Sequence, residues 1–321
     1  AVWLKPLRRR PSCKFTHHTA CIFLARLPQQ MSYFATRSRH LLASHGVLPL
    51  QPLRSLSRTA PLSPMLARQR HSSSAPSSVK LYQYEICPFC CKVKAFLDWQ
   101  KIAYQAVEVN PLSKAEISFS KDYRKVPIAM LDGEQVNDST AIIAALAAGR
   151  LADRALEEPE AARWLSWVDT ELAVLLFPNI TRSFGESFEA FGYISEVPTF
   201  SAPSRAANRA VGGLAMWLAN GKLKKKYNIT DERKQLLDTV RVWTDAVGKG
   251  PFLQGDSLGL ADVAVYGVLS SIRGLATYKE LMDASPDLAR WSAQVQAAVG
   301  PSMRDEGGAK VPRTIGPMAG L

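Results

Sequence analysis

The sequence predicts an α/β domain followed by an all-α domain, both behind a long basic leader. Three observations carry this reading. Hydrophobic residues alternate between strand and helix periods from residue 79 to 148, whereas beyond residue 160 almost only the helical period remains. A length of 321 residues with 47% hydrophobic side chains suits two domains and a tail. Charge is unevenly placed: residues 1–79 hold ten Arg and two Lys but no Asp or Glu, and the first acid is Glu85. Residues 80–321 carry 28 basic and 28 acidic side chains, so the net charge of +12 belongs to the leader and marks no nucleic-acid surface on the rest.

The leader is acid-free, rich in Arg over Lys, and holds twelve Ser, the attributes of an organellar transit peptide. Its apolar run at residues 20–27 is interrupted by Arg26, and no stretch approaches the ~20 apolar residues of a membrane span. Residues 1–78 are therefore expected to be a transit peptide or disordered basic leader. The expected destination is the mitochondrion, with the chloroplast, a membrane-associated precursor and the cytoplasm as alternatives. All five histidines (His17, His18, His40, His45 and His71) lie in this leader. That excludes Ser/His/Asp and Cys/His triads, histidine bases and histidine-held zinc from the remainder.

Residues 79–149 form the first expected domain. The run VKLYQYE at 79–85 is β-branched and aromatic, and Cys87-Pro88-Phe89-Cys90-Cys91 follows at once. Phe89, Val93, Phe96 and Leu97 then fall at i, i+4, i+7 and i+8, one face of a helix that Pro88 suits as a start. Residues 102–110 return to strand character, and 111–122 read as a shorter helix. Residues 126–131 are a buried strand, Asp132-Gly133 signals a hairpin into 134–137, and Asp138 or Ser139 caps a helix through Ala148. This order, with Cys-x-x-Cys at the first strand-to-helix turn, resembles the thioredoxin fold in its glutaredoxin form.

The chemistry asks for that placement. The thiolate is the nucleophile, and free amides with the positive end of a helix stabilise the anion at Cys87. Lys92, Arg124 or Lys125 are candidates to assist. Cys90, one turn on, can resolve a mixed disulfide on Cys87, and Cys91 reads as a small buried hydrophobe. Pro127, after Val126, opens a core strand, so it belongs at an edge or a cis bend. In thioredoxin-like folds a cis proline faces the active cysteine, and the backbone before it pairs with a bound peptide. Asp138-Ser139 puts amides and a hydroxyl at a helix start, which suits an α-carboxylate, though as a cap it needs no ligand. Together these describe a glutathione site: thiol, peptide backbone, γ-glutamyl carboxylate.

After a linker at 150–160, the second domain at 161–299 reads as all-helical. Residues 161–177 form an amphipathic helix, 183–204 an irregular loop, 205–227 a helix containing Leu214, Trp217 and Leu218, and 231–247, 260–275 and 289–299 further helices. Lys222, Lys224, Lys225 and Lys226 suit a helix C-terminus, and the five tryptophans from Trp164 onward read as core. Residues 300–321 are expected to be a disordered tail. In LQGDSLGLADVA at 253–264, Asp262 stands three residues after Gly259, where a capping box has Ser or Thr. That stretch resembles the glutathione-transferase core signature, a folding element.

The whole resembles the glutathione-transferase architecture: an α/β thioredoxin-like (glutaredoxin) N-terminal domain and an all-α transferase C-terminal domain. Within it, LYQYEICPFC at 81–90, YQAVEVNP at 104–111, YRKVPI at 123–128 and LADVAVYGVL at 260–269 resemble the prostaglandin-endoperoxide isomerases, over residues 79–299. The resemblance implies isomerisation of the endoperoxide PGH2 to the E-type product. It assigns Tyr84, Cys87 and Phe89 to the catalytic motif, with Cys90 beside them, and Val126, Pro127, Asp138 and Ser139 to glutathione. It implies glutathione as cofactor and haem as a further candidate, with no metal-ligating residues. The implied partners are a small-molecule thiol and an apolar lipid or electrophile, with no nucleic acid; a homodimer and membrane-surface association stay open. Cys91 departs from the family, which has no cysteine there. The competing readings are a glutathione-dependent thiol–disulfide oxidoreductase or transferase, and a haem or Fe–S binding module.

Overall fold

A computed structural model of the chain describes residues 76–148 and 159–305. The expected leader up to residue 75, most of the connection and residues 306–321 lie outside the described residues.

Strand β1 (Val79–Gln83) alternates buried and half-buried side chains, with Val79, Leu81 and Gln83 facing inward. It pairs in parallel with β2 (Tyr104–Glu108) and antiparallel with β3 (Ile128–Leu131), which turns at Asp132-Gly133 into β4 (Glu134–Asn137). Helix α1 (Pro88–Trp99) makes the βαβ crossover between these parallel neighbours. Helix α2 (Ser139–Ala147) follows β4. A fifth strand, β5 (Arg304–Asp305), pairs in parallel with β2 and completes the order β4-β3-β1-β2-β5. Residues 300–305 are thus ordered, against the expected disorder. Tyr104 N–H donates to the Met303 carbonyl at 3.2 Å, Met303 N–H donates to Asp98 at 2.7 Å, and Arg304 pairs with Glu85 at 3.3 Å.

The helix expected at 111–122 is only a 3₁₀ turn at Ala115–Ile117. Asn110 explains this: its side-chain oxygen accepts from Leu112 N–H at 3.0 Å and Ser113 N–H at 3.1 Å, an Asx turn that diverts the backbone from a helix.

The second domain comprises α3 (Pro159–Trp167), α4 (Ala173–Ile180), α5 (Phe184–Ala190), α6 (Ala202–Lys226), α7 (Glu232–Val247), α8 (Leu260–Ser270), α9 (Ala276–Ala284) and α10 (Pro286–Val299). The single helix expected at 161–177 is divided between α3 and α4 by a π-helical turn, Val168–Leu172. The loop expected at 183–204 contains α5, capped by Ser183, whose hydroxyl accepts from Glu186 N–H at 3.1 Å, and the start of α6, capped by Ser201. Ser183 and Glu186 carry the S-x-x-E spacing of a helix start, a legible signal that the loop reading passed over.

Trp164, Trp167, Trp243 and Trp291 form one aromatic cluster with ring separations of 5.1–6.3 Å. Trp217 is instead 40% exposed, with Leu214 and Leu218 beside it. Helix α6 docks through small residues: a Cβ on Gly213 would lie 3.2 Å from the Phe188 Cα, and one on Gly212 would strike the Phe191 ring. That close approach turns the larger residues outward. Between the domains, α8 lies on α1, both buried in one continuous core. Asp262 anchors α8 by accepting from Leu253 N–H at 3.0 Å, Gly259 N–H at 3.2 Å and Trp291 Nε1–H at 2.9 Å. Gly259 has no side chain to return the bond, so half of the capping box survives.

Among the described residues no helix is long and apolar enough to cross a membrane.

Candidate functional site

Cys87 is the N-cap of α1, in extended conformation, with Pro88 at the first helical position. Its N–H donates to the Tyr84 carbonyl at 3.0 Å and its carbonyl accepts from Cys91 N–H at 2.9 Å, closing the turn between strand and helix. Cys87 is half-buried, whereas Cys90 and Cys91 are buried. A hydrogen bond from the Cys90 thiol holds the Cys87 pKa below its ordinary value, opposed by burial and supported by the Cys90 and Phe89 amides and the Lys94 charge. Cys90 is pushed well above its ordinary range, first by burial and then by its bond to Cys87. A lowered thiol hydrogen-bonded to a raised one suits a nucleophile with a resolving partner.

The cation acting on Cys87 is Lys94, not one of the three expected from the sequence. Lys92 turns to the helical domain, its ammonium 2.6 Å from Asp169. Arg124 donates to the carbonyls of Ile117 at 2.5 Å and Lys114 at 3.2 Å. Lys125, beside Val126, has its pKa lowered by desolvation.

Lys94 belongs to a buried polar cluster behind the cysteines that sequence reasoning did not find. Its ammonium lies 2.8 Å from Glu85, which Gln83 also meets at 2.6 Å and Arg304 at 3.3 Å. Glu108 accepts from Glu85 N–H at 3.0 Å and from the Gln83 amide at 3.3 Å. Burial, and then the Glu85 charge, push Glu108 up to about 8, despite a hydrogen bond from Tyr193. Cys91 joins the edge of the cluster, its thiol donating to the Glu85 carbonyl at 3.2 Å.

Tyr84 and Val126 pack together against Val109, Ile117 and Ile128, so the residue before Cys87's turn and the residue before the proline share one apolar cluster. The Val126–Pro127 peptide is cis. Phe89 is half-buried against the main core, with the Lys92 ammonium 5.8 Å from its ring centroid.

Asp138 caps α2, its carboxylate accepting from Thr140 N–H at 2.9 Å and Ala141 N–H at 3.5 Å. It does so at φ 76°, a backbone region few non-glycine residues adopt and one that concentrates at ligand clamps. Ser139 is buried at the first position of α2, where a helix leaves its N–H groups without partners inside the helix. A free amide with a hydroxyl at a helix start suits the carboxylate end of a small peptide.

Among the described residues no group of three or more His, Cys, Asp or Glu is arranged to hold a metal ion.

A glutathione S-transferase N-terminal-domain profile matches residues 81–150, and a C-terminal-domain profile matches 215–294. The fold is therefore that of the glutathione transferases, a thioredoxin-like domain followed by a helical one. Prostaglandin E synthase 2 of Mus musculus is 33% identical over 288 residues, covering 73% of this chain and 74% of its own. That of Danio rerio is 33% identical over 266 residues, covering 68% and 70%. The chain belongs to the prostaglandin E synthase 2 family. The chain is also similar to Glutaredoxin 1 of Rickettsia conorii, 32% identical over 84 residues, or 25% of this chain and 81% of that one.

Proposed function

We propose that this protein is a glutathione-binding thiol enzyme that isomerises a prostaglandin endoperoxide to the E-type prostaglandin through Cys87. The observation that carries the reading is the lowered Cys87 thiol at the head of α1, supported by the Cys90 thiol in a chain without histidine beyond residue 71. The names of the mouse and zebrafish relatives supply the reaction. In the proposed sequence the Cys87 thiolate attacks one peroxide oxygen; a sulfur–oxygen bond forms as the oxygen–oxygen bond breaks, and the released alkoxide takes a proton. Loss of the proton on the carbon bearing the sulfur-bound oxygen makes the ketone and expels the thiolate, with no net redox change. Tyr84 and Phe89 are proposed to line this step. Val126 and Pro127 would pair with the main chain of glutathione, and the Ser139 amide and hydroxyl with its γ-glutamyl carboxylate, Asp138 holding the helix start.

A second reading rests on Cys90. A buried thiol with a raised pKa bonded to the nucleophile suits the resolving role in a glutathione-dependent disulfide oxidoreductase, and isomerisation, which needs only a donor to the thiolate, needs no resolving thiol. Turnover of the endoperoxide and of a protein disulfide, side by side with and without glutathione, separates the two. Cys87→Ser is expected to abolish both activities. Cys90→Ser should keep the isomerase and strand the mixed disulfide of the reductase; loss of isomerase activity as complete as in Cys87→Ser overturns the proposal. A coloured protein on purification would point instead to a haem or Fe–S module. The leader is proposed to direct mitochondrial import, and a diffuse cytosolic signal from a reporter carrying residues 1–78 would reject that.

A further inference from the structure

Lys92 sits one turn beyond Phe89 on α1, and its side chain is fully buried. The ammonium contacts two groups from two other elements: Asp169 Oδ1 at 2.6 Å and the Thr140 hydroxyl at 3.2 Å. The triangle closes, because Thr140 donates to the second Asp169 oxygen at 3.1 Å. Thr140 directly follows Asp138 and Ser139, and its N–H is the one that the Asp138 carboxylate caps at 2.9 Å. Asp169 comes from the helical domain. It lies in the π-helical turn at Val168–Leu172, a helix irregularity that concentrates at functional sites. Its side chain retains 14% exposure while that of Lys92 has none.

One carboxylate from the second domain thus ties the helix carrying the thiol to the first turn of the helix carrying Ser139. Without it, the buried Lys92 charge would be left with neutral neighbours such as the Thr140 hydroxyl and the Phe89 ring, and Thr140 would lose the Asp169 acceptor. A charge-assisted bond orients a side chain more strongly than a neutral one.

We infer that Asp169 is a positioning residue for glutathione, holding the Asp138–Ser139 turn in its binding geometry through Thr140 and Lys92. The inference rests on the reading of Asp138 and Ser139 as glutathione contacts. It makes binding in the thioredoxin-like domain depend on docking of the helical domain.

The test is calorimetric titration of glutathione into the full chain carrying Asp169→Asn, alongside the pH dependence of Cys87 alkylation without glutathione. Asparagine keeps the volume and an acceptor for Thr140 but removes the charge facing Lys92. The expected result is a tenfold or greater rise in Kd with the thiol profile unmoved. A merely structural role would lower Tm and leave the Kd of the folded fraction unchanged, and that result overturns the inference. Lys92→Met with Asp169→Leu covers the case in which the single variant does not fold, since an apolar pair can replace a buried ion pair without loss of stability. Stability regained with affinity still lost supports positioning; affinity regained with stability rejects it. Asp138→Ala with Ser139→Ala is titrated in parallel. If that variant binds glutathione normally, the site reading itself has failed; if it is weakened while both Asp169 variants bind normally, only the positioning role has.

Discussion

A Cβ on Gly267 would lie 2.8 Å from the Cα of Lys92 and 2.8 Å from the Cys91 carbonyl oxygen. The two domains meet backbone to backbone at this point, and α1, whose start carries the thiols, rests on α8 there. Mid-helix, glycine is ordinarily worse than alanine by about 1 kcal/mol. Here a methyl must displace main chain, and overpacking costs about 1–3 kcal/mol. Gly267→Ala is expected to lower the denaturant midpoint, and Gly267→Val to lower it further. A midpoint that rises with alanine would show that the helices have room to part.

The buried Asp262 accepts from three donors, the buried Trp291 indole and the half-buried Leu253 and Gly259 amides. Leaving a buried donor without its acceptor costs about 1–3 kcal/mol, so Asp262→Ala should destabilise by at least that much. Gly259→Ser should move the other way by a few tenths of a kcal/mol, restoring the missing half of the box. Urea unfolding of both variants checks the pair.

The hydrogen bond between Cys90 and Cys87 gives a chemical readout. Cys90→Ala removes the leading cause of the lowered Cys87 pKa. The pH midpoint of Cys87 alkylation, followed by mass spectrometry, should rise. Cys90→Ser, which keeps a donor, should rise less. Equal midpoints in wild type and Cys90→Ala would assign the thiolate to the helix end instead.

Glu108 makes stability depend on pH. Its folded-state pKa of about 8 lies above the ordinary 4.5, so between those values the folded protein holds a proton that the unfolded chain releases. Stability therefore falls as pH rises from about 4.5 to 8, with a slope approaching ~1.4 kcal/mol per unit for one group. Asp98, raised by burial to about 6, adds to the fall in the lower part of that window. Glu108→Gln should flatten the slope between pH 6 and 8, measured by unfolding at fixed temperature. An unchanged slope would show that Glu108 stays ionised beside Glu85.

Much of this was legible because it depends on local chemistry. The period change at Pro88 announced β1 and α1, and Asp138 announced the cap of α2. The cysteine cluster declared its own placement, down to the burial of Cys91. What escaped reading was decided by distant partners. Lys92 reads as a cation at the service of Cys87, and Lys94 carries no signal, until Asp169 and Glu85, from other elements, are seen to pair with them. Glu108 looks like an ordinary polar strand residue until Gln83, Glu85 and Tyr193 are seen to enclose it. Trp217 looks like core because nothing in its own helix says that Gly212 and Gly213 have already taken the buried face.

Strand β5 has a consequence for the nascent chain. Asp98 and Met303, whose hydrogen bond fastens that strand, are 205 residues apart. At roughly 5–20 residues per second of synthesis, the four-stranded sheet, complete at Asn137, emerges on the order of ten to thirty seconds before Arg304 exists. Throughout that interval the β2 edge is open to any other extended chain, and Glu85 lacks Arg304. The first domain to leave the ribosome is thus the last to be completed.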